Sequence, residues 1–300
     1  MTAPHRAAVI GLGAMGGGMA RAALAAGLEV WGADLDAART AAFRTEGGLA
    51  GDAASLGPTL ASAALVTLTG AQTEAALFGE DGLARHLAPG CVVLSCATMA
   101  PEQARALAAR AAEHGLLFLD APISGGAGKA AEGRLSVMAS GPPEAFAAAR
   151  PLLDAVAETV FELGPEPGAG SAMKAVNQLL AGVHIAAAAE AVVFAAKQGI
   201  PPATTLETIS RCAGTSWMFE NRVPHIVEAD YAPRSAVDIW PKDLGIVTGI
   251  AKAEGVPVPI AEAALARFRA AQDAGLGRED DAAVARIYAE AAGVTLPGGA

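Results

Sequence analysis

The chain has 300 residues, of which 53% are hydrophobic, and it carries a formal net charge of -10 at pH 7. A sequence of this length and apolar content can bury a large core and divide into two domains, which excludes an intrinsically disordered protein. The negative charge, which no block of lysine and arginine reverses locally, argues against a nucleic acid or an anionic membrane as partner. We find no signal peptide and no uninterrupted apolar run that would span a bilayer, so we expect a cytoplasmic protein.

The first half of the chain alternates short apolar runs with alanine-rich helical patterns, which is typical of a parallel sheet covered by helices. The predicted strands lie at 7–10, 28–32, 65–68, 91–95, 116–119, 135–139 and 159–162. The glycines and prolines of 164–170 then predict a domain junction. Ser171 can cap a helix that runs to about Gln198, and only helical patterns follow. The sequence therefore predicts an α/β domain over 1–164 and an all-α domain over 165–300.

The first predicted strand leads directly into a Gly-x-Gly-x-x-Gly motif. Its residues are Gly11, Leu12, Gly13, Ala14, Met15 and Gly16. In dinucleotide-binding domains the first glycine allows a tight turn, the second lets the backbone approach the pyrophosphate, and the third lets helix and strand pack closely. The helix N-terminus adds partial positive charge for the phosphates. The motif favours a dinucleotide site over the alternative, a glycine-rich turn that binds no ligand.

Asp34 follows the second predicted strand. It lies at about the 20-residue spacing at which a carboxylate binds the ribose 2′-hydroxyl of a dinucleotide. A carboxylate there would repel a 2′-phosphate, and no arginine follows until Arg39. Motif and carboxylate together predict a Rossmann-type domain that binds NAD rather than NADP.

Lysine is rare in this chain and occurs at Lys129, Lys174, Lys197, Lys242 and Lys252. On a helix, Asn177 and Gln178 lie three and four residues after Lys174 and share its face. The positive end of the helix dipole and desolvation both favour the neutral amine, whereas a bound substrate carboxylate would oppose them. Lys174 is therefore a candidate for proton exchange. A solvated lysine near a helix end is the alternative.

Cysteine and histidine give no sign of a metal centre. Cys91, Cys96 and Cys212 form no CxxC pair, and their odd count favours reduced, mostly buried thiols. No group of histidine, cysteine and carboxylate has the spacing of metal ligands, so we expect no metal.

Motifs along nearly the whole chain resemble the β-hydroxyacid dehydrogenases of the 3-hydroxyisobutyrate dehydrogenase superfamily. Besides the glycine motif, they are Ala121-Pro122-Ile123-Ser124-Gly125-Gly126, Gly170-Ser171-Ala172-Met173-Lys174-Ala175-Val176-Asn177 and Lys242-Asp243-Leu244. The resemblance implies a Rossmann-type N-terminal domain followed by an all-helical domain, with the active site between them. It also implies a homodimer or homotetramer.

The same resemblance implies roles for individual residues. Lys174 matches the catalytic lysine, Asn177 matches the amide that orients the substrate, and Gln178 stands where a second asparagine is commoner. The loop of Ser124, Gly125 and Gly126 matches the one that binds the substrate carboxylate, and its exposed backbone N–H groups suit an anion. On the cofactor side the matching residues are Leu68, Thr69, Thr98 and Lys242, with Asp243 as the partner of Lys242. An ordinary surface ion pair is the alternative interpretation of those last two residues.

Longer strings at 72–75, 177–185, 216–226 and 235–239 resemble the L-threonate dehydrogenase branch of this superfamily. This implies NAD-dependent oxidation of the C2 hydroxyl of L-threonate, with Lys174 as general acid and base. The polar residues expected around the substrate hydroxyls are Gln178, Ser216 and Asn221, while Trp217 and Phe219 either wall the pocket or belong to the core.

Other functions remain open at this point. Oxidation of 3-hydroxyisobutyrate and reduction of tartronate semialdehyde would use the same loop and lysine. An imine reductase of related fold would carry a different proton donor in place of Lys174. A non-catalytic dinucleotide-binding module is the alternative of a different class.

Overall fold

A computed structural model describes residues 5–298 of the chain. These residues divide into two compact units, one that ends at Lys174 and one that begins at Ala175. The division falls within a long helix, Ala169–Lys197. Each unit has its own hydrophobic core.

The first unit is built on a five-stranded parallel sheet. Its strands are β1 (Arg6–Ile10), β2 (Glu29–Ala33), β3 (Ser62–Leu65), β4 (Val92–Ser95) and β5 (Leu117–Asp120). They lie in the order β2-β1-β3-β4-β5. The order reverses between β1 and β3, and in sheets of this kind ligands bind at the carboxyl ends of the strands beside such a reversal. The loop after β1, which is the glycine motif, lies at that point.

Helices cover both faces of this sheet. They are α1 (Ala14–Ala25), α2 (Ala37–Thr45), α3 (Ala53–Leu56), α4 (Gly70–Phe78), α5 (Pro101–Glu113), α6 (Gly126–Ala131) and α7 (Pro143–Val156). Successive residues of a strand point to opposite faces, so Val92 and Leu94 join one hydrophobic cluster and Val93 joins the other. Strands β3 and β4 are buried throughout. Burial on both faces explains why the strands read as continuous apolar runs.

A second, three-stranded sheet follows, whereas the sequence predicted only one sheet. Its strands are β6 (Ile123–Ser124), β7 (Leu135–Ala139) and β8 (Ala157–Glu162). Strand β7 is antiparallel to β6 and parallel to β8. The sequence missed β6 because two residues carry no period. An isolated bridge between Asp120 and Ser140 connects the ends of β5 and β7.

The predicted strand at 65–68 was placed three residues too late, since β3 is Ser62–Leu65. Its start, Ser62-Ala63-Ala64, lacks the β-branched residues that mark a strand in sequence. As a consequence Leu68 and Thr69 do not stand at the tip of a strand. They lie in the turn that leads into α4.

The rest of the described chain is helical. It consists of α8 (Ala169–Lys197), α9 (Pro202–Ile209), α10 (Trp217–Glu228), α11 (Ile239–Ala253), α12 (Pro259–Ala271), a π-helical turn (Gln272–Leu276), a 3-10 turn (Asp281–Ala283) and α13 (Val284–Ala292). Helices α8 and α11 pack closely at Gly182, where a Cβ would lie 2.9 Å from the Trp240 ring. The predicted order of an α/β domain followed by an all-α domain is confirmed.

Helix α8 differs from the prediction in two respects. It begins at Ala169, so Ser171 lies inside the first turn and is not its cap. By length and composition it is also apolar enough to cross a membrane, with a mean hydropathy of 1.9 over 18 residues, of which 44% are buried in the structure. No such segment was expected from the sequence, because His184 and Glu190 interrupt the apolar run. The core helix of a water-soluble protein meets the same criterion, so length and composition alone decide nothing.

Candidate active site

The glycine motif forms the turn between β1 and α1. Gly11 has a φ of +95°, and a Cβ on it would lie 2.4 Å from the Val66 carbonyl oxygen. A Cβ on Gly16 would lie 1.8 Å from the carbonyl oxygen of Gly11. At Gly13, by contrast, the nearest atom to a Cβ is 3.8 Å away. The first and third glycines are therefore required by the fold itself, whereas the second leaves space above the backbone.

The first turn of α1 is suited to an anion. Gly13 is the N-cap residue, no side chain caps the helix, and the first turn holds no acidic residue. The N–H groups at the start of a helix have no partner within the helix. Together with the helix dipole they attract negative charge.

Asp34 follows β2 directly and is bound to the glycine loop. Its Oδ2 accepts from the backbone N–H of Leu12 at 2.6 Å, and its Oδ1 accepts from Asp36 at 2.8 Å. Burial raises the pKa of Asp34, but these backbone donors and the charge of Arg39 outweigh burial and bring the pKa below its ordinary value. Asp34 is therefore ionised at neutral pH.

Arg39, on helix α2, lies beside this carboxylate. Its Nη1 is 3.6 Å from Asp34 Oδ2, and its Nε is 3.5 Å from Asp36 Oδ2. The same Nη1 is the atom 3.8 Å from a Cβ built on Gly13. The guanidinium thus lies at the open side of the glycine loop, with about half of its side chain exposed.

The other residues predicted on the cofactor side within this unit follow β3 and β4. Leu68 is an exposed apolar side chain. Thr69 is the N-cap of α4, where its Oγ1 accepts from the N–H of Gln72 at 3.1 Å, and Gln72 Oε1 accepts from the N–H of Leu68 at 2.9 Å. Thr98 is half-buried between β4 and α5. The hydroxyl of Thr69 is thus already used in a helix cap.

The loop predicted to bind a carboxylate joins β6 to α6. Ser124 ends β6, and Gly125 and Gly126 have φ angles of +135° and +75°, which side chains rarely adopt. A Cβ on Gly18, in α1, would lie 2.8 Å from the Ala131 N atom at the end of α6. Helices α1 and α6 therefore pack backbone to backbone, and this contact fixes the loop relative to the glycine motif.

Lys174 is buried, with 8% of its surface exposed, and its Nζ donates to the carbonyl oxygen of Ile123 at 2.9 Å. Ile123 directly precedes Ser124. The amine of the predicted catalytic lysine thus lies beside the strand that carries the carboxylate loop. A solvated lysine at a helix end, the alternative considered above, does not describe this side chain.

The start of α8 is held by Asp120, which is fully buried at the end of β5. Its Oδ2 accepts from the backbone N–H of Gly168 at 2.9 Å and of Ser171 at 2.7 Å, and its Oδ1 accepts from Ser171 Oγ at 2.7 Å. Burial raises the pKa of Asp120, and the donors from Ser171 and Gly168 offset part of that rise. The Ser171 hydroxyl therefore donates to a carboxylate and does not accept from the helix backbone.

The second unit holds a chain of polar contacts. Asn177 Nδ2 donates to Gln178 Oε1 at 2.9 Å, Gln178 Nε2 donates to Asp243 Oδ2, and Lys242 Nζ is 2.5 Å from Asp243 Oδ1. Gln178 and Asp243 are buried, and 22% of the Lys242 side chain is exposed. This is not an ordinary surface ion pair. Both ends of the Gln178 amide are bonded within the protein.

The polar residues that were expected around substrate hydroxyls at α10 have partners within the protein. Ser216 is the N-cap of α10, where its Oγ accepts from the N–H of Phe219 at 3.1 Å. Asn221 is exposed, and its Oδ1 accepts from Arg222. Phe219 is buried in the helical core, whereas Trp217 is exposed. Neither Ser216 nor Asn221 is thus a buried group without a partner.

Comparison with known proteins assigns both units to families. Residues 6–164 match the model for the NAD binding domain of 6-phosphogluconate dehydrogenase. Residues 168–288 match the model described as NAD-binding of NADP-dependent 3-hydroxyisobutyrate dehydrogenase.

Single relatives match over almost their whole length. An L-threonate dehydrogenase of Escherichia coli (strain CFT073) is 47% identical over 292 residues, which cover 97% of this chain and 96% of the relative. An L-threonate dehydrogenase of Cupriavidus necator is 48% identical over 291 residues, which cover 97% of each chain. A crystal structure described as 3-hydroxyisobutyrate dehydrogenase from Salmonella typhimurium is 46% identical, with a TM-score of 0.90, and the match covers 94% of this chain and 99% of that one.

The chain belongs to the 3-hydroxyisobutyrate dehydrogenase superfamily. As a member it is an NAD-dependent hydroxyacid dehydrogenase, and its first unit contains the NAD-binding domain. The residues present fit this cofactor. Gly13 leaves the space that a Cβ would fill, the first turn of α1 offers backbone donors, and Asp34 is an ionised acceptor beside them.

Two features of this dehydrogenase escaped the sequence analysis. Asp120 was not singled out, although an acidic residue directly after the apolar run 116–119 was a signal that a polar group ends a buried strand. Arg39 was noted only as the nearest arginine, because sequence distance does not show that α2 brings it back to Asp34. Among residues 5–298, no group of three His, Cys, Asp or Glu residues could hold a metal ion.

Proposed function

We propose that this dehydrogenase oxidises the C2 hydroxyl of L-threonate to 2-oxo-3,4-dihydroxybutanoate with NAD. The substrate proposal is supported by the L-threonate dehydrogenases that are 47% and 48% identical over nearly the full chain. The chemistry is supported above all by one observation, the buried amine of Lys174 beside the strand of the carboxylate loop.

Oxidation of a secondary alcohol requires a base for the hydroxyl proton. NAD, when bound, accepts the hydride that leaves the carbon. Lys174 in its neutral form accepts the hydroxyl proton, and its ammonium form returns a proton in the reverse reaction. Its hydrogen bond to Ile123 holds the amine in place before the substrate arrives.

The carboxylate of the substrate would bind to the loop of Ser124, Gly125 and Gly126. Gly125 and Gly126 have positive φ angles, a conformation in which successive backbone N–H groups can form an anion-binding concavity, and the serine hydroxyl would add a further donor. An anchored carboxylate leaves the C2 hydroxyl as the group that reaches the lysine. In this proposal Asn177 orients the substrate, and Gln178 acts by holding Asn177 in place.

NAD would be held by residues from the loops after β1, β2, β3 and β4 and from helices α1 and α11. The pyrophosphate would bind at the glycine motif and the adenosine ribose at Asp34, while the remaining residues would surround the nicotinamide half. The proposed cofactor residues are Gly11, Leu12, Gly13, Ala14, Met15, Gly16, Asp34, Leu68, Thr69, Thr98 and Lys242.

We further propose that the junction between the two functional domains lies between residues 164 and 165, within the glycine and proline cluster.

The description of the Salmonella protein favours a second candidate, oxidation of 3-hydroxyisobutyrate. Initial rates of NADH formation with the two acids at equal NAD decide between them. Because the relatives at 47% and 48% identity are L-threonate dehydrogenases, we expect L-threonate to be preferred by at least about fivefold in kcat/KM. This is the lower end of the roughly 1–3 kcal/mol that one hydrogen-bonded substrate hydroxyl contributes to discrimination. A preference for 3-hydroxyisobutyrate would contradict the substrate proposal.

Two further outcomes would indicate other functions. Rapid reduction of tartronate semialdehyde without threonate oxidation would assign the protein to a different branch of the superfamily, and NAD binding without any turnover would indicate a non-catalytic module.

We also propose a cytoplasmic homodimer or homotetramer. Its support is an apolar face of α8 that stays exposed in the single chain and includes Met173, Val176, Leu180 and Phe194. Exposed apolar surface of this extent on one helix is typical of an interface. Light scattering coupled to size-exclusion chromatography measures the assembly, and a monomeric mass at micromolar concentration would contradict the proposal.

A further inference from the structure

Asp120 is a buried carboxylate that binds the start of helix α8. It is fully buried and accepts from Gly168 and twice from Ser171. These donors are the N–H group directly before the helix, together with an N–H group and a hydroxyl of its first turn. The carboxylate of Asp120, which lies 51 residues before Ser171 at the end of a strand, thus caps this helix.

The fit between strand end and helix start is tight. A Cβ on Gly170 would lie 2.4 Å from the Met138 carbonyl oxygen and 2.5 Å from that of Asp120. The N–H of Gly170 donates to Ser140 Oγ at 3.0 Å. The first turn of α8 therefore has little freedom to shift against β5 and β7.

The segment that starts at Asp120 also holds the far end of Lys174. Ile123, three residues after Asp120, accepts from Lys174 Nζ at 2.9 Å. Asp120 fixes the backbone of the helix that carries the lysine, and Ile123 fixes its amine. One short stretch of chain thus positions both the backbone of Lys174 and its terminal amine, next to the carboxylate loop.

We propose that Asp120 is a positioning residue that acts on the reaction through Lys174. The inference rests on the proposed role of Lys174 as the base. A buried carboxylate is unfavourable unless its hydrogen bonds are satisfied, and here they are satisfied by the helix that carries the lysine. Loss of the carboxylate releases the first turn, and misplacement of a reacting group by about 1 Å reduces turnover by about 100-fold.

The test is a double-mutant cycle of Asp120→Asn and Lys174→Ala in the full-length protein. Asparagine has nearly the same shape but presents an NH₂ group to donors that need an acceptor. We expect Asp120→Asn to lower kcat by about 100-fold while the NADH dissociation constant, measured by fluorescence, stays within about twofold. Because Asp120 acts through Lys174, the double variant should be no slower than Lys174→Ala alone.

Ser171→Ala is the milder variant and decides the question if Asp120→Asn does not fold. It removes one of the three hydrogen bonds that the start of α8 makes to the carboxylate, so we expect a smaller loss in kcat, of about three- to tenfold, with KM nearly unchanged. Ser55→Ala is its matched control, because Ser55 also lies in the first turn of a helix and donates to an aspartate, Asp52, but does so on the exposed α3. It should leave kcat unchanged.

Three results would overturn the proposal. The first is a folded Asp120→Asn enzyme whose kcat is within threefold of the wild-type value. The second is a double variant in which the losses in kcat of the two single variants multiply, as they would for a general structural defect. In both cases the role of Lys174 as base survives, since Lys174→Ala alone measures it. If Lys174→Ala itself loses less than tenfold, the base assignment fails and the positioning role fails with it.

Discussion

The side-chain amine of Lys174 donates a 2.9 Å hydrogen bond to the backbone carbonyl of Ile123. A helix residue is thereby joined to Ile123, 51 residues earlier in the chain, in the strand that ends in Ser124. A long, flexible lysine side chain is thus held at its tip, so the proposed proton acceptor and the proposed carboxylate loop have a fixed relation before any substrate binds.

Replacement of this lysine tests its chemical role. We expect Lys174→Ala to lower kcat by about 10²- to 10⁴-fold while NAD binding is largely unchanged, since the side chain acts on the substrate. Steady-state rates and NADH fluorescence titration measure the two effects. Lys252→Ala, at an exposed lysine, is the matched control and should behave as the original enzyme. A loss smaller than tenfold in Lys174→Ala would remove it from the role of base.

Cofactor choice should depend on Asp34 and Arg39 together. We expect the wild-type enzyme to have a higher kcat/KM with NAD than with NADP. Asp34→Ser should reduce this difference in kcat/KM without any added arginine, because Arg39 already lies 3.6 Å from the position of the carboxylate. The double variant Asp34→Ser/Arg39→Ala should lose the improved kcat/KM with NADP. Dissociation constants for adenosine 2′,5′-bisphosphate and for 5′-AMP, measured by calorimetry, report the same effect without turnover. Equal efficiency of the original enzyme with both cofactors would contradict this assignment.

The glycines of the motif should respond differently to alanine. Gly16→Ala places a methyl group 1.8 Å from the Gly11 carbonyl, so we expect a lower melting temperature and loss of NAD binding together. Gly13→Ala meets nothing within 3.8 Å, so the fold should stay stable while NAD affinity falls by roughly tenfold or more. Thermal unfolding without ligand, followed by NADH titration, separates the two. Unchanged affinity in Gly13→Ala would argue against a pyrophosphate above this residue.

Acid stability of the helical unit should depend on Asp280. Burial raises its pKa, but the His225 hydrogen bond and the backbone donors of Arg234 and Ala282 outweigh burial, and the pKa is below its ordinary value. A carboxyl whose pKa is lower when folded stabilises the fold above its unfolded pKa of about 3.9, and this stabilisation is lost as pH falls through the folded value. Asp280→Asn should therefore have a lower free energy of unfolding than the wild-type protein at pH 7, and the difference between the two should become smaller below about pH 4. Urea unfolding at pH 7, 5 and 3.5 measures it, and a gap independent of pH would contradict the ionic contribution.

Thiol reactivity should separate the three cysteines. Burial raises the pKa of Cys91 and of Cys96 to about 12, with the charge of Asp120 adding to the rise at Cys96. Cys212 is exposed. We expect a thiol reagent at pH 8 to modify about one thiol per chain in the folded protein and all three in urea, since the thiolate is the reactive form. Fast reaction of a second thiol under native conditions would show that a buried cysteine becomes accessible.

The sequence by itself determined the class of fold and the family. Apolar runs separated by helical patterns predicted the α/β domain, and the glycine motif with Asp34 predicted NAD, because both depend on local chain geometry that a short stretch encodes. The spacing of Lys174, Asn177 and Gln178 on a helix is equally local. Their catalytic roles came from resemblance and stay predictions.

The tertiary structure decided what depends on contacts between distant parts of the chain. Strand β6 is too short to show a period, the start of α8 is capped by a carboxylate from β5, and α2 brings Arg39 back to Asp34. Sequence reasoning had made Ser171 a cap, because it assigns a polar group to its nearest use, and it did not foresee a protein partner for Gln178. In the folded chain the hydroxyl of Ser171 is bonded to Asp120, and the amide of Gln178 is bonded to Asp243. A buried polar group takes the partner that the fold provides, and no local pattern specifies that partner.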